Sequence, residues 1–217
     1  MREEELLQAA KDGRLDEIRR ALAADPALGR TRLASGETPL MAALYRGHRE
    51  VVATLVDAGA PLDLFAAAAL GRLDILDAEL ASNPSAVNAY AFDGWTPLHL
   101  AAFFGQTAAM ARLLEAGADT AAVSRNSLTN TPLHAAVAGG HVDGALLLIE
   151  RGAPVNVTDA GGHTPLHIAA EAGTVPIVTA LLDRGADPHA VDAEDKTPLS
   201  RAAARNHNDV IDIINLR

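Results

Sequence analysis

Cysteine is absent from this 217-residue chain, which excludes disulfides, thiolate metal sites and thiol nucleophiles and suits a reducing compartment. Aromatic residues are scarce at 3%, and basic charge is outweighed, with 18 Lys+Arg against 28 Asp+Glu for a formal net charge of −10. No basic stripe is left to follow a nucleic-acid backbone, and the largest cationic cluster is Arg19-Arg20. A bilayer-spanning run of about 18 apolar residues is missing, as is a basic amphipathic helix that would lie on a membrane. The opening residues carry Glu3, Glu4 and Glu5, which is not the cationic start of an export signal. What is present is 49% hydrophobic residues, rich in Ala, enough for a packed core of closely spaced helices in a soluble, cytoplasmic protein.

The chain repeats itself. Thr-Pro-Leu occurs five times, at Thr38, Thr96, Thr131, Thr164 and Thr197, and the last three intervals are 35, 33 and 33 residues. Each is followed by an Ala pair or near pair, a Gly or Asn nine residues on and an apolar helical pattern, which in the first four ends in Gly-Ala. In the unit at Thr164 these landmarks are Ala169, Ala170, Gly173, the run Ile177 to Leu182, and Gly185-Ala186. Two more units keep the frame without Thr-Pro, one near Glu4 (Leu6, Ala9, Ala10, Gly13) and one near Leu62 (Leu64, Ala67, Gly71). Seven units result, starting near 4, 38, 62, 96, 131, 164 and 197.

Each landmark has a physical meaning. Thr accepts a hydrogen bond from an orphan helix amide, and Pro suits the first helical position, so every Thr-Pro begins a helix. The Gly nine residues on takes the left-handed conformation that ends a short helix, with Asn206 as its substitute in the last unit. A second helix follows, patterned as in Val142, Leu146, Leu147 and Ile149. Pro154 to His163, with Asp159 and Gly162, then reads as a hairpin leading to the next Thr. One such unit cannot bury its apolar face, but stacked copies can.

These motifs resemble the ankyrin repeat over nearly the whole chain. Gly94-Trp95-Thr96-Pro97-Leu98-His99-Leu100-Ala101-Ala102 and Gly162-His163-Thr164-Pro165-Leu166-His167-Ile168-Ala169-Ala170 fit the family pattern almost residue for residue. The resemblance implies an all-α ankyrin repeat solenoid of about seven helix-turn-helix units with short β-hairpin fingers, in one domain spanning 1–217. It also implies a non-enzymatic module that binds another protein on its concave surface, without a cofactor or metal. His99, His134 and His167 stand where the family uses His to tie neighbouring turns together. The loops Ala24-Asp25-Pro26-Ala27 and Ser82-Asn83-Pro84-Ser85, the Ala content and the preference for Arg over Lys look like bacterial ankyrin proteins from GC-rich genomes.

Departures from the pattern carry further information. The unit at Thr38 is short, because Gly59-Ala60 is followed almost at once by a helix near Leu64, so one finger is missing near 60–63. That gap suggests sub-blocks 1–60 and 61–217, with 9 basic and 10 acidic residues in the first and 9 and 18 in the second. The gap reads either as a tolerated loop loss or as space shaped for a partner. The unit at Thr96 is two residues longer than the two that follow it, so Arg125 to Asn130 forms a longer finger with Thr129 at the place of a turn Gly.

Five of the seven aromatic residues, Tyr90, Phe92, Trp95, Phe103 and Phe104, fall within 15 residues. Tyr90, Phe92 and Trp95 occupy finger positions and the two Phe the end of a first helix; in the family such positions line the concave groove. A cluster of this size either serves as an interface anchor or fills a satellite core with the long finger. Asp93, Arg125, Leu128, Asn130, His163 and Glu171 are the expected rim, with Asp93 and Glu171 steering basic partners.

Catalytic and metal signatures do not occur: there is no phosphate loop, metalloprotease helix or nucleophile elbow. His163 and His189 read as single loop residues rather than metal ligands, and His48, His141 and His207 follow the residue that ends the first helix. Asn156-Val157-Thr158 matches a glycosylation acceptor only by chance when no secretion signal precedes it. Polar residues at both ends, including Glu17, Arg20, Asn208, Asp209, Asp212 and Asn215, suggest capping units and a complete solenoid. A monomer is expected, with a self-associating scaffold as the alternative and a small-ligand or enzyme pocket beside the missing finger as the least favoured reading.

Overall fold

A computed structural model describes residues 1–217 and contains fourteen α-helices and no β-strand. The chain separates into two compact units, Met1–Ala66 and Ala67–Arg217. The first unit holds two helix pairs, α1 (Glu3–Lys11) with α2 (Leu15–Ala24) and α3 (Pro39–Tyr45) with α4 (Arg49–Asp57). Helix α5 (Leu64–Leu70) crosses the boundary and pairs along the chain with α6 (Leu73–Ser82). The second unit continues with α7 (Pro97–Phe103), α8 (Thr107–Glu115), α9 (Pro132–Ala138), α10 (Val142–Glu150), α11 (Pro165–Glu171), α12 (Val175–Asp183), α13 (Pro198–Ala204) and α14 (Asn208–Asn215). Seven pairs in the expected frame make this an ankyrin fold.

The helices start where the sequence chemistry dictates. Thr38, Thr96, Thr131, Thr164 and Thr197 are all N-cap residues with Pro at the first helical position. Asn206, at φ 61°, ends α13 in the left-handed conformation that Gly173, at φ 71°, supplies after α11. The first helices bury small side chains, Ala101, Ala102, Ala135, Ala136, Ala169 and Ala170, so that their backbones approach closely. The second helices bury larger ones, among them Leu76, Met110, Leu113, Leu148, Ile177, Leu181 and Val210. Burying each Leu or Ile contributes about 1.5–3 kcal/mol.

Between pairs lie the fingers. Each is a tight turn with one inner turn bond, such as Gly94 N to Ala91 O at 3.0 Å, and one bond across its ends, Leu33 N to Glu37 O at 2.9 Å, Ala91 N to Trp95 O at 2.8 Å, Ser124 N to Asn130 O at 2.8 Å, Asp159 N to His163 O at 3.0 Å and Asp192 N to Lys196 O at 2.9 Å. A single closing bond is too little for a ladder, so the expected β-hairpins occur as fingers without regular strands. No finger forms at 60–63: Ala60 N bonds back to Leu55 O, and the Asp63 carboxylate already receives the Ala66 amide at 2.9 Å as α5 begins. The longer finger turns at Thr129, whose φ is 45°, and Asn126 braces it by accepting from Leu128 N and Ser124 Oγ. The two Asp/Asn-Pro loops fold into short 3₁₀ turns, Pro26–Arg30 and Pro84–Asn88.

Leu133→Ala or Leu148→Ala, at fully buried positions of α9 and α10, is expected to lower stability by about 2–5 kcal/mol in urea denaturation. Leu216→Ala, at an exposed position, is expected to change it by less than about 0.5 kcal/mol.

Candidate interaction surface

The fingers of the second unit hold one another in register. Arg125 N donates to Gly94 O at 2.8 Å, Ala160 N to Leu128 O at 2.9 Å and Ala193 N to Gly161 O at 2.9 Å. Arg125, Ala160 and Ala193 thus occupy one frame position, which in the first of these fingers belongs to Phe92. Two residues earlier stand Tyr90, Val123, Thr158 and Val191. In extended backbone, residues two apart share a face, so the two rows line one side of the fingers.

That side carries the exposed apolar surface. Phe92 is 44% exposed, Val123 42% and Val191 58%, Leu128 at the turn of the long finger is 51% exposed, and the only other large apolar side chains so exposed are Met1 and Leu216 at the chain ends. Tyr90 is half-buried beneath Arg125, whose guanidinium lies 3.8 Å from the ring centroid, and its hydroxyl donates to Val123 O at 3.1 Å. The stacked cation and the hydroxyl bond fix both side chains before any partner arrives.

The five aromatic residues therefore do not form one exposed patch. Trp95 is buried at 6% exposure, stacked 6.0 Å from His99 and edge-on to Phe103 at 5.1 Å. Phe103 meets Phe104 at 5.2 Å, and both are half-buried. This trio packs the end of α7, and only Tyr90 and Phe92 belong to the finger face. Asn130, expected on the rim, is also buried, because its backbone closes the long finger and its amide donates to Ser124 Oγ at 3.0 Å. Asp93 is half-buried at the turn, accepting the Trp95 amide at 3.1 Å, while its carbonyl accepts from the Asn126 side chain.

His163 and Glu171 belong to a different cluster in the last three helix pairs. The Asp192 side chain is fully buried and its Oδ2 receives Nε and Nη2 of Arg201 at 2.8 and 2.6 Å. Burial alone would raise this carboxyl, but the Lys196 amide, the Arg201 guanidinium and the Glu194 amide outweigh it and hold it down at about 2. Arg201 Nη2 also reaches Glu194 at 3.1 Å and His163 Nε2 at 3.4 Å, while His163 Nδ1 faces Asp159 at 3.1 Å. Glu171 pairs with Arg205 at 2.8 Å, and that bond lowers its pKa. These charges are mutually satisfied: the Asp192 cluster braces its finger, and the Glu171–Arg205 pair joins the ends of α11 and α13. Sequence reasoning missed Val123, Val191 and the Asp192–Arg201 pair; aligning each finger on its Thr would have put Val123 and Val191 in the row of Tyr90.

Three buried histidines join finger to finger. In each, Nε2 lies 3.0 Å from the carbonyl of the next finger's last residue: His99 to Asn130, His134 to His163, His167 to Lys196. Nδ1 faces the preceding Thr hydroxyl at 2.8, 2.8 and 2.9 Å and its backbone amide at 3.4, 3.3 and 3.2 Å. Burial drives all three pKa values down, that of His99 to about 4. At the helix ends, His48 and His207 bond the carbonyls of Lys11 and Glu171 at 3.0 Å, and Gln106 bonds that of Ala69 at 3.2 Å. Asn156 is likewise occupied, bridging Gly185 O and Asp187 N at 2.9 Å each, which is a structural use for the supposed glycosylation acceptor.

Comparison with known proteins agrees with this architecture. A profile described as ankyrin repeats (3 copies) matches residues 64–159 and 145–215, and one described as ankyrin repeats (many copies) matches residues 6–56. The chain belongs to the ankyrin repeat family, whose repeats are non-catalytic and mediate binding to other proteins. Similar proteins include two from rice (Oryza sativa subsp. japonica), E3 ubiquitin-protein ligase XB3, 38% identical over 99 residues, and probable E3 ubiquitin-protein ligase XBOS32, 27% identical over 190. These alignments cover 45% and 70% of this chain but only 22% and 38% of the relatives. Being plant proteins, they lend no support to the bacterial likeness of the composition. No helix is long and apolar enough to cross a membrane.

Backbone contact between fingers leads to a test. A Cβ on Gly94, at φ 81°, would lie 2.7 Å from the Arg125 carbonyl carbon, whereas one on Gly117, at φ 90°, meets nothing within 4 Å. Gly117→Ala is expected to cost only left-handed strain, about 1–2 kcal/mol. Gly94→Ala must also push the long finger away and is expected to cost more, as measured by thermal unfolding.

Proposed function

We propose that residues 1–217 act as one non-enzymatic, cytoplasmic protein-binding domain, with sub-blocks 1–60 and 61–217, and that the finger face of the second block grips a partner protein. The observation that carries this reading is the confinement of exposed large apolar side chains, chain ends aside, to Phe92, Val123, Leu128 and Val191 on fingers. Isolated exposed apolar residues are ordinary, but their concentration on one pre-ordered element is what an interface requires. Tyr90 and Arg125 add an aromatic and a guanidinium, the side chains that most often dominate binding energy. The registered fingers reduce the ordering cost of association.

The partner would present apolar side chains to Phe92 and Val123 with basic residues at its margins, since residues 61–217 hold 18 acidic against 9 basic residues. Of the residues read from the sequence, Tyr90, Phe92, Arg125 and Leu128 form this contact, with Asp93 beside it. Trp95, Phe103, Phe104 and Asn130 support it from below, His163 braces the fingers further along, and Glu171 ties the end of α11 to that of α13. Ligase activity is named for the rice relatives, and the reading for this chain is binding alone.

A Phe92→Ser, Val123→Ser, Leu128→Ser variant removes exposed groups and is expected to keep its helicity while losing recovery of a partner retained by the native protein. Full recovery by the folded variant would sink the reading. In the alternative, where this face meets a second copy, the mass from light scattering rises with concentration; the present reading expects a constant monomer mass.

A further inference from the structure

We propose that His99, His134 and His167 form an acid-sensitive latch on the finger row of the second unit, closed when the three imidazoles are neutral and opened by their protonation. Its bearing on partner binding rests on the reading above, but the latch itself is a property of the free protein.

The hydrogen-bond geometry requires one tautomer. A carbonyl faces each Nε2, so Nε2 must carry the proton and donate. A backbone N–H of Thr96, Thr131 or Thr164 faces each Nδ1, and an amide can only donate, so Nδ1 must accept. An imidazolium has no acceptor left. Protonation at Nδ1 sets N–H against the Thr amide at the N-cap of α7, α9 and α11 and leaves only the Thr hydroxyl to turn and accept it, in a ring at most 1% exposed that also holds the next finger's closing carbonyl. Protonation leaves Nε2–H on that carbonyl but unseats the ring from its cap, so the strain falls on the group that joins cap to finger, three times along the row.

The surroundings grade the response. His99 packs on the Trp95 ring, and the titratable group acting on it is His134, which disfavours its charging. His134 is faced by Asp159, which favours the cation, and by His163, which opposes it. His167 is faced by Asp192, which favours it, and by His163 and Arg201, which oppose it, with the His163 ring 6.2 Å away. His134 and His167, each near a carboxylate, are thus expected to open before His99.

The direction with pH follows from linkage. An unfolded His titrates near 6.5, whereas burial lowers these three in the fold. Between those values the unfolded chain binds more protons, so the stabilisation is complete above about 6.5 and is lost as pH falls toward about 4, the His99 value. The first unit supplies an internal control. Met41 stands there at the His position, and Thr38 still caps α3 by accepting the Met41 amide at 3.2 Å.

The test is amide hydrogen exchange on the full chain at pH 7 and pH 4.5, expressed as protection factors. Amides of Ser124, Asp159 and Asp192 are expected to lose roughly tenfold or more in protection, and those of Leu33 and Gly36 in the first unit less than about threefold. Imidazole nitrogen shifts should report the Nε2–H tautomer at pH 7. Parallel loss in both units, or full protection of all fingers at pH 4.5, would overturn the latch. The variant His99→Met, His134→Met, His167→Met copies the Met41 solution and is expected to abolish the differential loss; an unchanged acid response in it would equally overturn the proposal. Should the triple variant fail to fold, His134→Met alone is expected to blunt the loss at Ser124 and Asp159. Because no partner is involved, these results stand apart from those of the Phe92, Val123 and Leu128 substitutions.

Discussion

Everything in the second unit depends on how a buried finger carbonyl is satisfied from the repeat before it. Asn130, His163 and Lys196 each end a finger with a carbonyl that the finger's own closing bond shares, and the neighbouring His supplies the second donor. Each such bond contributes about 0.5–1.5 kcal/mol net. Because the same ring closes the cap of its own helix, local helix initiation and contact between repeats are one interaction. A solenoid whose stability is a sum of neighbour terms gains cooperativity from such shared groups.

The arrangement is not uniform along the chain. In the first unit Met41 replaces the imidazole and contributes only apolar packing. In the last repeat Ser200 takes the amide of Thr197 at 2.9 Å but is too short to reach a further repeat. What substitutes for imidazole contacts elsewhere is charge. Arg32 pairs with Asp63 at 2.5 Å in the first unit, and Arg201 with the buried Asp192 in the second. The second pairing is the more consequential, because a buried carboxylate stripped of its guanidinium is a far larger penalty than an exposed one.

Much of this was legible in the residues. Thr-Pro marks a helix start because capping and the proline ring are local chemistry, so five helix starts could be read directly; Thr129 and Asn206, at φ 45° and 61°, stand where the frame asked for glycine-like turns. The absent finger was countable, since too few residues separate Gly59 from Leu64. Side-chain exposure was harder, because it depends on which neighbour fills the space above a residue. Trp95 and Phe92 are three residues apart in one finger, yet one is sealed by His99 and Phe103 and the other stands open. Clustering in sequence brought the five rings together on paper; alternation along the finger separates them in space. Asn130 was misplaced on the rim for a related reason, since a polar residue whose backbone closes a turn is drawn inward whatever its side chain prefers.

The separation has a functional logic. Rings that pack the end of α7 stiffen the base of the finger, and the cation stacked on Tyr90 stiffens its flank, so Phe92 projects from a support whose conformational entropy is already spent. An exposed ring on a mobile loop would lose much of its binding energy to ordering that loop. Here that ordering is already met during folding, by buried groups. In the proposed binding mode the buried aromatics and the exposed apolar row are two halves of one device, in which interior packing of Trp95, Phe103 and His99 gives the surface residues a fixed place.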